Sequence, residues 1–99
     1  PLLNTLRNPG PPPPAAWPPF QPLDKAAMAD GVVPLRYKEL MAVAVALTTQ
    51  CIYCIEAHTR RARNAGASDA ELGETILVAA ALRAGGAIAH GAHCLKDEV

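Results

Sequence analysis

The sequence predicts an all-α domain, and three observations carry that prediction. Alanine, the strongest helix former, supplies 20 of the 99 residues. No stretch of useful length alternates apolar and polar residues with the period of two that a half-buried strand needs. From Leu35 onward, apolar residues recur at helical spacing between stop and start signals such as Gly66 and Ser68. The aromatics are only Trp17, Phe20, Tyr37 and Tyr53, so the core is expected to be thin and the helices closely packed.

Taken in order, residues 1–22 (PLLNTLRNPGPPPPAAWPPFQP) hold nine of the ten prolines and are expected to be an extended arm outside the folded unit. Pro11 to Pro14 impose polyproline II, and Trp17 and Phe20 give the arm two apolar anchors. Such an arm either packs on its own or a neighbouring subunit or serves a proline-binding module. The domain proper is expected over 23–99, with 23–30 making two helical turns ended by Gly31. Pro34 marks the start of a helix from Leu35 to about Thr49, apolar on nearly every face and expected at the centre of the bundle. Glu39 is the residue out of place in it. A second helix runs from about Ile52 to Ala65 and stops at Gly66. Ser68 to Glu71 form a capping box that opens a third helix, which Gly85-Gly86 should break or kink before a last helix from Ala87 to Lys96. A folding unit near 70 residues supplies a core contribution of only about 3–5 kcal/mol, so a homo-oligomer is expected.

Charge narrows the partners. Nine basic residues balance nine acidic ones, with no basic block beyond Arg60, Arg61 and Arg63, so neither nucleic acid nor a membrane surface is an expected partner. The three arginines form a solvated helix face or a small phosphate site, and Glu56 with Arg60 is spaced for an i,i+4 pair. No apolar run reaches the ~18 residues of a membrane span. Pro1 rather than Met opens the chain, which leaves open a removed targeting segment. Three cysteines at two distant places do not make the even framework of a small secreted fold, so a reducing, cytoplasmic setting is expected.

The informative segment is Cys51-Ile52-Tyr53-Cys54-Ile55-Glu56-Ala57-His58. Two cysteines separated by two residues at the start of a helix can close a small disulfide ring, at a place that favours the thiolate. His58 lies one turn beyond Cys54 on the same face, where it can accept or relay a proton. A rival reading is a structural zinc module with Cys51, Cys54 and His58 as ligands and a fourth from His90, His93 or Cys94. Structural zinc cysteines usually lie in turns before a helix, however, whereas Cys54 and His58 share one. Glu39 has a bland alternative at a solvent-facing first turn, and His58 one as a satisfied core histidine. His90, His93 and Cys94 are read as packing or surface residues.

Glu39 twelve residues before the CxxC, with His58 four after its second cysteine, resembles the AhpD-like alkylhydroperoxidases of the carboxymuconolactone decarboxylase superfamily. The likeness covers about residues 34–95. It implies a compact AhpD-like helical bundle that forms homo-oligomers, trimers or hexamers. It also implies a peroxidase that reduces hydroperoxides through a Cys51–Cys54 dithiol/disulfide cycle, with no cofactor. By that resemblance Cys54 is the peroxidatic thiol, Cys51 resolves its sulfenic acid, and Glu39 with His58 relays the proton. The reductant would be a dihydrolipoyl group or a thioredoxin-like donor. Some members carry a histidine immediately before the second cysteine; Tyr53 stands there, an auxiliary hydrogen-bond donor but a poor base. The decarboxylase branch that gives the superfamily its name typically lacks the CxxC, so lactone decarboxylation is the weaker implication of the resemblance; a further alternative is a carboxymuconolactone decarboxylase-like oligomer that binds a small ligand without peroxidase activity.

Overall fold

The computed structural model describes residues 17–96 and contains no strand among them. Four helices follow in order: α1 (Trp17–Met28), α2 (Leu35–Thr49), α3 (Ile52–Asn64) and α4 (Asp69–Gly91), with a 3-10 turn at Ala92–Leu95. The all-α class holds. Helices α3 and α4 both pack on α2, and α1 touches its outer side.

Helix α1 includes Trp17–Pro22, the last six residues of the segment expected to be extended. Pro18 and Pro19 fall in the first turn, where a backbone N–H has no intrahelical acceptor, so they cost no hydrogen bond there. Only Pro22 lies deeper. The rest of the expected arm, residues 1–16 with the Pro11–Pro14 run, lies outside the described residues, as do residues 97–99.

The chain enters α2 through Pro34, whose side chain cannot cap. The Asp30 carboxylate takes that role, accepting the Leu35 N–H at 2.7 Å. Helix α2 ends at Gln50, which adopts a left-handed conformation (φ 58°). Its N–H and that of Cys51 both return to the Ala46 carbonyl, the closing pattern of a helix C-terminus more often built on glycine. Helix α3 ends before Gly66, whose φ of +100° only glycine adopts freely. Ser68 and Glu71 then form the expected capping box, with bonds of 3.1 and 2.9 Å.

The glycine pair expected to break α4 does not. Gly85 and Gly86 sit inside one continuous helix, flanked by alanines. Two glycines cost roughly 1 kcal/mol each relative to alanine, too little to stop a helix so well capped. With the terminal 3-10 turn, the stretch Asp69–Leu95 is 27 residues long, with a mean hydropathy of 1.4 over its most apolar window. By length and composition alone it could cross a membrane, a property the expected break had hidden.

The core is thin, as its composition implies. Val43, Ala62, Ala67 and Leu72 form its centre, with Leu40 and Leu47 packed against it. Helix α2 was expected to be buried all round, yet it buries one stripe. Glu39, Val43 and Ala46, at i, i+4 and i+7, are buried, while Met41 and Val45 on other faces are 55% and 60% exposed. Ile76, Leu77, Leu82 and Ile88 of α4 are exposed as well. The radius of gyration, 17.1 Å, exceeds the roughly 13 Å of a compact domain of this length.

Candidate active site at the alpha2 to alpha3 junction

The turn between α2 and α3 sets the first cysteine. Because Gln50 reverses the chain in a left-handed conformation, Cys51 becomes the N-cap of α3 and its Sγ accepts the Cys54 N–H at 3.3 Å. Sulfur here occupies the position of a capping hydroxyl, facing the positive end of the helix. The Cys51 and Cys54 sulfurs lie at disulfide distance, with Cα atoms 5.2 Å apart. Across the chain, Arg83 of α4 donates to the Thr48 carbonyl at 2.6 Å and so ties the end of α2, two residues before the turn, to a third helix.

One turn past Cys54, His58 faces α2, and its Nδ1 lies 2.9 Å from Oε2 of Glu39. Glu39 is 3% exposed. It is buried because it lies in register with Val43 and Ala46, the residues that face α3. Burying a carboxylate is costly unless it is paired, and His58 supplies the pair; no buried side-chain nitrogen or oxygen among the described residues lacks a partner. The carboxylate engages Nδ1, which leaves Nε2 as the ring nitrogen outside that bond. The solvent-facing alternative for Glu39 therefore fails.

Cys54 and His58 line one open groove of about 440 Å³. Met28, Val33, Met41 and Val45 give it apolar walls, and Lys38 and Asp24 add charge. Cys51 is not among its lining residues, so the two sulfurs present themselves differently: Cys54 inside the groove, Cys51 beside it. Glu39 borders a second cavity of about 290 Å³ with Arg61 and Asn64. The Glu39–His58 bond thus joins two cavities across the α2–α3 interface.

Glu39, Cys51, Cys54 and His58, singled out in the sequence, are brought together. Tyr53 is half-buried and lines neither cavity. His90 and His93 stack edge to face at 5.0 Å near the end of α4, and Cys94 is exposed. Among the described residues no group of three or more His, Cys, Asp or Glu side chains is arranged to hold a metal. Arg63 pairs with Asp69. Sequence reasoning missed Lys38, Arg83 and the groove itself, since each depends on how distant helices pack.

A family model for the carboxymuconolactone decarboxylase family matches residues 15–97. Among curated proteins, the chain is 49% identical over 82 residues to "Uncharacterized protein 4 in cox locus" of Paracoccus denitrificans, covering 81% of this chain and 74% of that one. It is 40% identical over 65 residues to an uncharacterized protein of Cupriavidus necator, covering 66% and 58%.

Proposed function

The chain belongs to the carboxymuconolactone decarboxylase family, and on that premise we propose that it is a thiol-dependent peroxidase of the AhpD-like kind. The observation that carries the reading is the placement of Cys54 and His58 on one groove, with His58 fixed from behind by a buried carboxylate. In the proposed cycle His58 Nε2 takes the Cys54 proton. The thiolate attacks the outer oxygen of a hydroperoxide, and the O–O bond breaks. Cys54 becomes a sulfenic acid, and the departing alkoxide takes a proton to leave as an alcohol. The Cys51 thiol then attacks the Cys54 sulfur, water leaves, and the Cys51–Cys54 disulfide closes. An external dithiol, of dihydrolipoyl or thioredoxin type, returns the pair to thiols by exchange and is itself oxidised to a disulfide. Such a cycle needs a reducing compartment, and the cytoplasm is the proposed setting.

The same reading includes a homo-oligomer. The exposed apolar residues of α4 and the extended dimensions of the single chain support it.

The test is oxidation of the reduced protein by an organic hydroperoxide, with peptide masses mapping the product. The reading requires stoichiometric Cys51–Cys54 disulfide and loss of peroxide consumption in Cys54→Ser. Undiminished consumption by Cys54→Ser refutes it.

A further inference from the structure

We infer that the groove at Cys54 is built for an amphiphile: an apolar acyl chain with a terminal carboxylate held by Lys38. Resting on the peroxidase reading, this makes the substrate a hydroperoxide of a free fatty acid rather than a small neutral peroxide. Three observations converge. The groove volume, about 440 Å³, falls within the range of roughly 300–1,000 Å³ typical of small-molecule sites. Its walls are side chains without charge, Met28, Val33, Met41 and Val45. On the same groove stands Lys38, whose ammonium donates to the Ala29 carbonyl at 2.6 Å in an exposed bond and has no carboxylate partner among the described residues.

An ammonium carries three donors, so one bond to Ala29 leaves two for a ligand. A cation without a carboxylate partner, on a groove walled mainly by apolar side chains and shared with the proposed peroxidatic thiol, matches an acid whose chain fills the walls. Asp24, the other charged residue of the groove, is exposed and forms no ion pair with Lys38. It opposes a bound carboxylate only weakly, because exposed charges are screened. The two side chains therefore have opposite expected effects on the same ligand, which gives the inference a sign as well as a magnitude.

Binding can be measured apart from catalysis. The oxidised protein, its disulfide closed and no reductant present, is titrated with saturated fatty acids of increasing length and with their methyl esters, by displacement of a fluorescent fatty acid. Affinity should rise by up to about fourfold per buried methylene until the groove is filled. The acid should bind about tenfold more tightly than its ester. Lys38→Met should bring the acid down to the ester's affinity, Lys38→Arg should keep the preference, and Asp24→Asn should tighten the acid alone. Equal binding of acid and ester by the parent, no binding of either, or a preference that survives Lys38→Met overturns the inference. Because no turnover is involved, failure of the peroxidase reading leaves this result standing. Conversely, a protein that consumes a small neutral hydroperoxide but shows no acid preference keeps that reading and loses this one.

Discussion

His58 Nδ1 and Glu39 Oε2 meet at 2.9 Å across the α2–α3 interface, and Glu39 has no other polar partner among the described residues. The pair therefore has two separable roles. It satisfies a buried carboxylate, which bears on stability, and it fixes the imidazole one helical turn from Cys54, which on the proposed function bears on rate.

Three substitutions separate these roles. His58→Gln removes the base and should slow hydroperoxide-driven oxidation of Cys54 by on the order of a hundredfold. Glu39→Gln retains volume and a hydrogen-bonding side chain while losing the charge that orients Nδ1–H, and a loss of about tenfold is expected. Glu39→Ala should also lower unfolding free energy by about 1–3 kcal/mol, because it leaves the imidazole without its partner. Stopped-flow thiol oxidation measures the rates, and urea denaturation of the reduced protein measures the stability. If Glu39→Gln oxidises at the parental rate, the carboxylate is structural only.

The capping role of Cys51 gives a sharper prediction than its proposed role as a resolving thiol. Serine is a strong N-cap, so Cys51→Ser should preserve α3 while removing the second sulfur. Peroxide should then leave Cys54 as a sulfenic acid that a dimedone-type reagent traps. Cys51→Ala removes both functions and should cost about 1 kcal/mol relative to Cys51→Ser. Equal stability of the two reduced variants would show that the side chain at 51 does not cap the helix.

Much of this arrangement is legible in the sequence, and the reasons are local. The start of α2 after Pro34, the Gly66 turn and the Ser68–Glu71 box are each set by residues within five positions of one another. Glu39 stood out because a charge in an apolar helix demands a partner, and the spacing from Cys54 to His58 is one helical turn. What stayed hidden depends on tertiary placement. Nothing near Lys38 in sequence says that Met28, ten residues earlier, will share a groove with it. Nothing near Arg83 points to the Thr48 carbonyl. Gly85-Gly86 misled in the other direction, because a breaker acts only where the surrounding helix is weak.

Gln50 holds a left-handed conformation at the junction that places Cys51. For a residue with a Cβ this costs about 1–2 kcal/mol, a cost glycine avoids at the expense of a more mobile unfolded chain. Gln50→Gly should therefore raise unfolding free energy by about 0.5–1 kcal/mol with the cysteines reduced, read as a higher denaturant midpoint at unchanged slope. A lower midpoint would mean that the glutamine side chain contributes something the backbone geometry does not reveal.

Arg83 should act on the same junction from outside. Its bond to the Thr48 carbonyl is exposed, so Arg83→Met is expected to cost only about 1 kcal/mol overall. The local effect should be larger in proportion, with faster amide hydrogen exchange at Gln50 and Cys51 than elsewhere in α2 and α3. Uniform acceleration across both helices would mean that the bond supports global stability and not the turn.

The last expectation concerns α4. Leu82 and Ile88 are 70% and 78% exposed, and a Cβ placed on Gly85 or Gly86 would meet open space beyond their own helix. Leu82, Gly85, Gly86 and the surrounding alanines give a surface on which a second helix can approach closely, and a second copy of the chain is the proposed occupant. A buried leucine contributes about 1.5–3 kcal/mol, so a charge at its centre should be decisive. Leu82→Glu should shift the molar mass in light scattering from an oligomer to a single chain at micromolar concentration, with the helical circular dichroism signal retained. An unchanged mass for Leu82→Glu would place the subunit contact on another face, and a single-chain mass for the parent would remove the oligomer from the proposal.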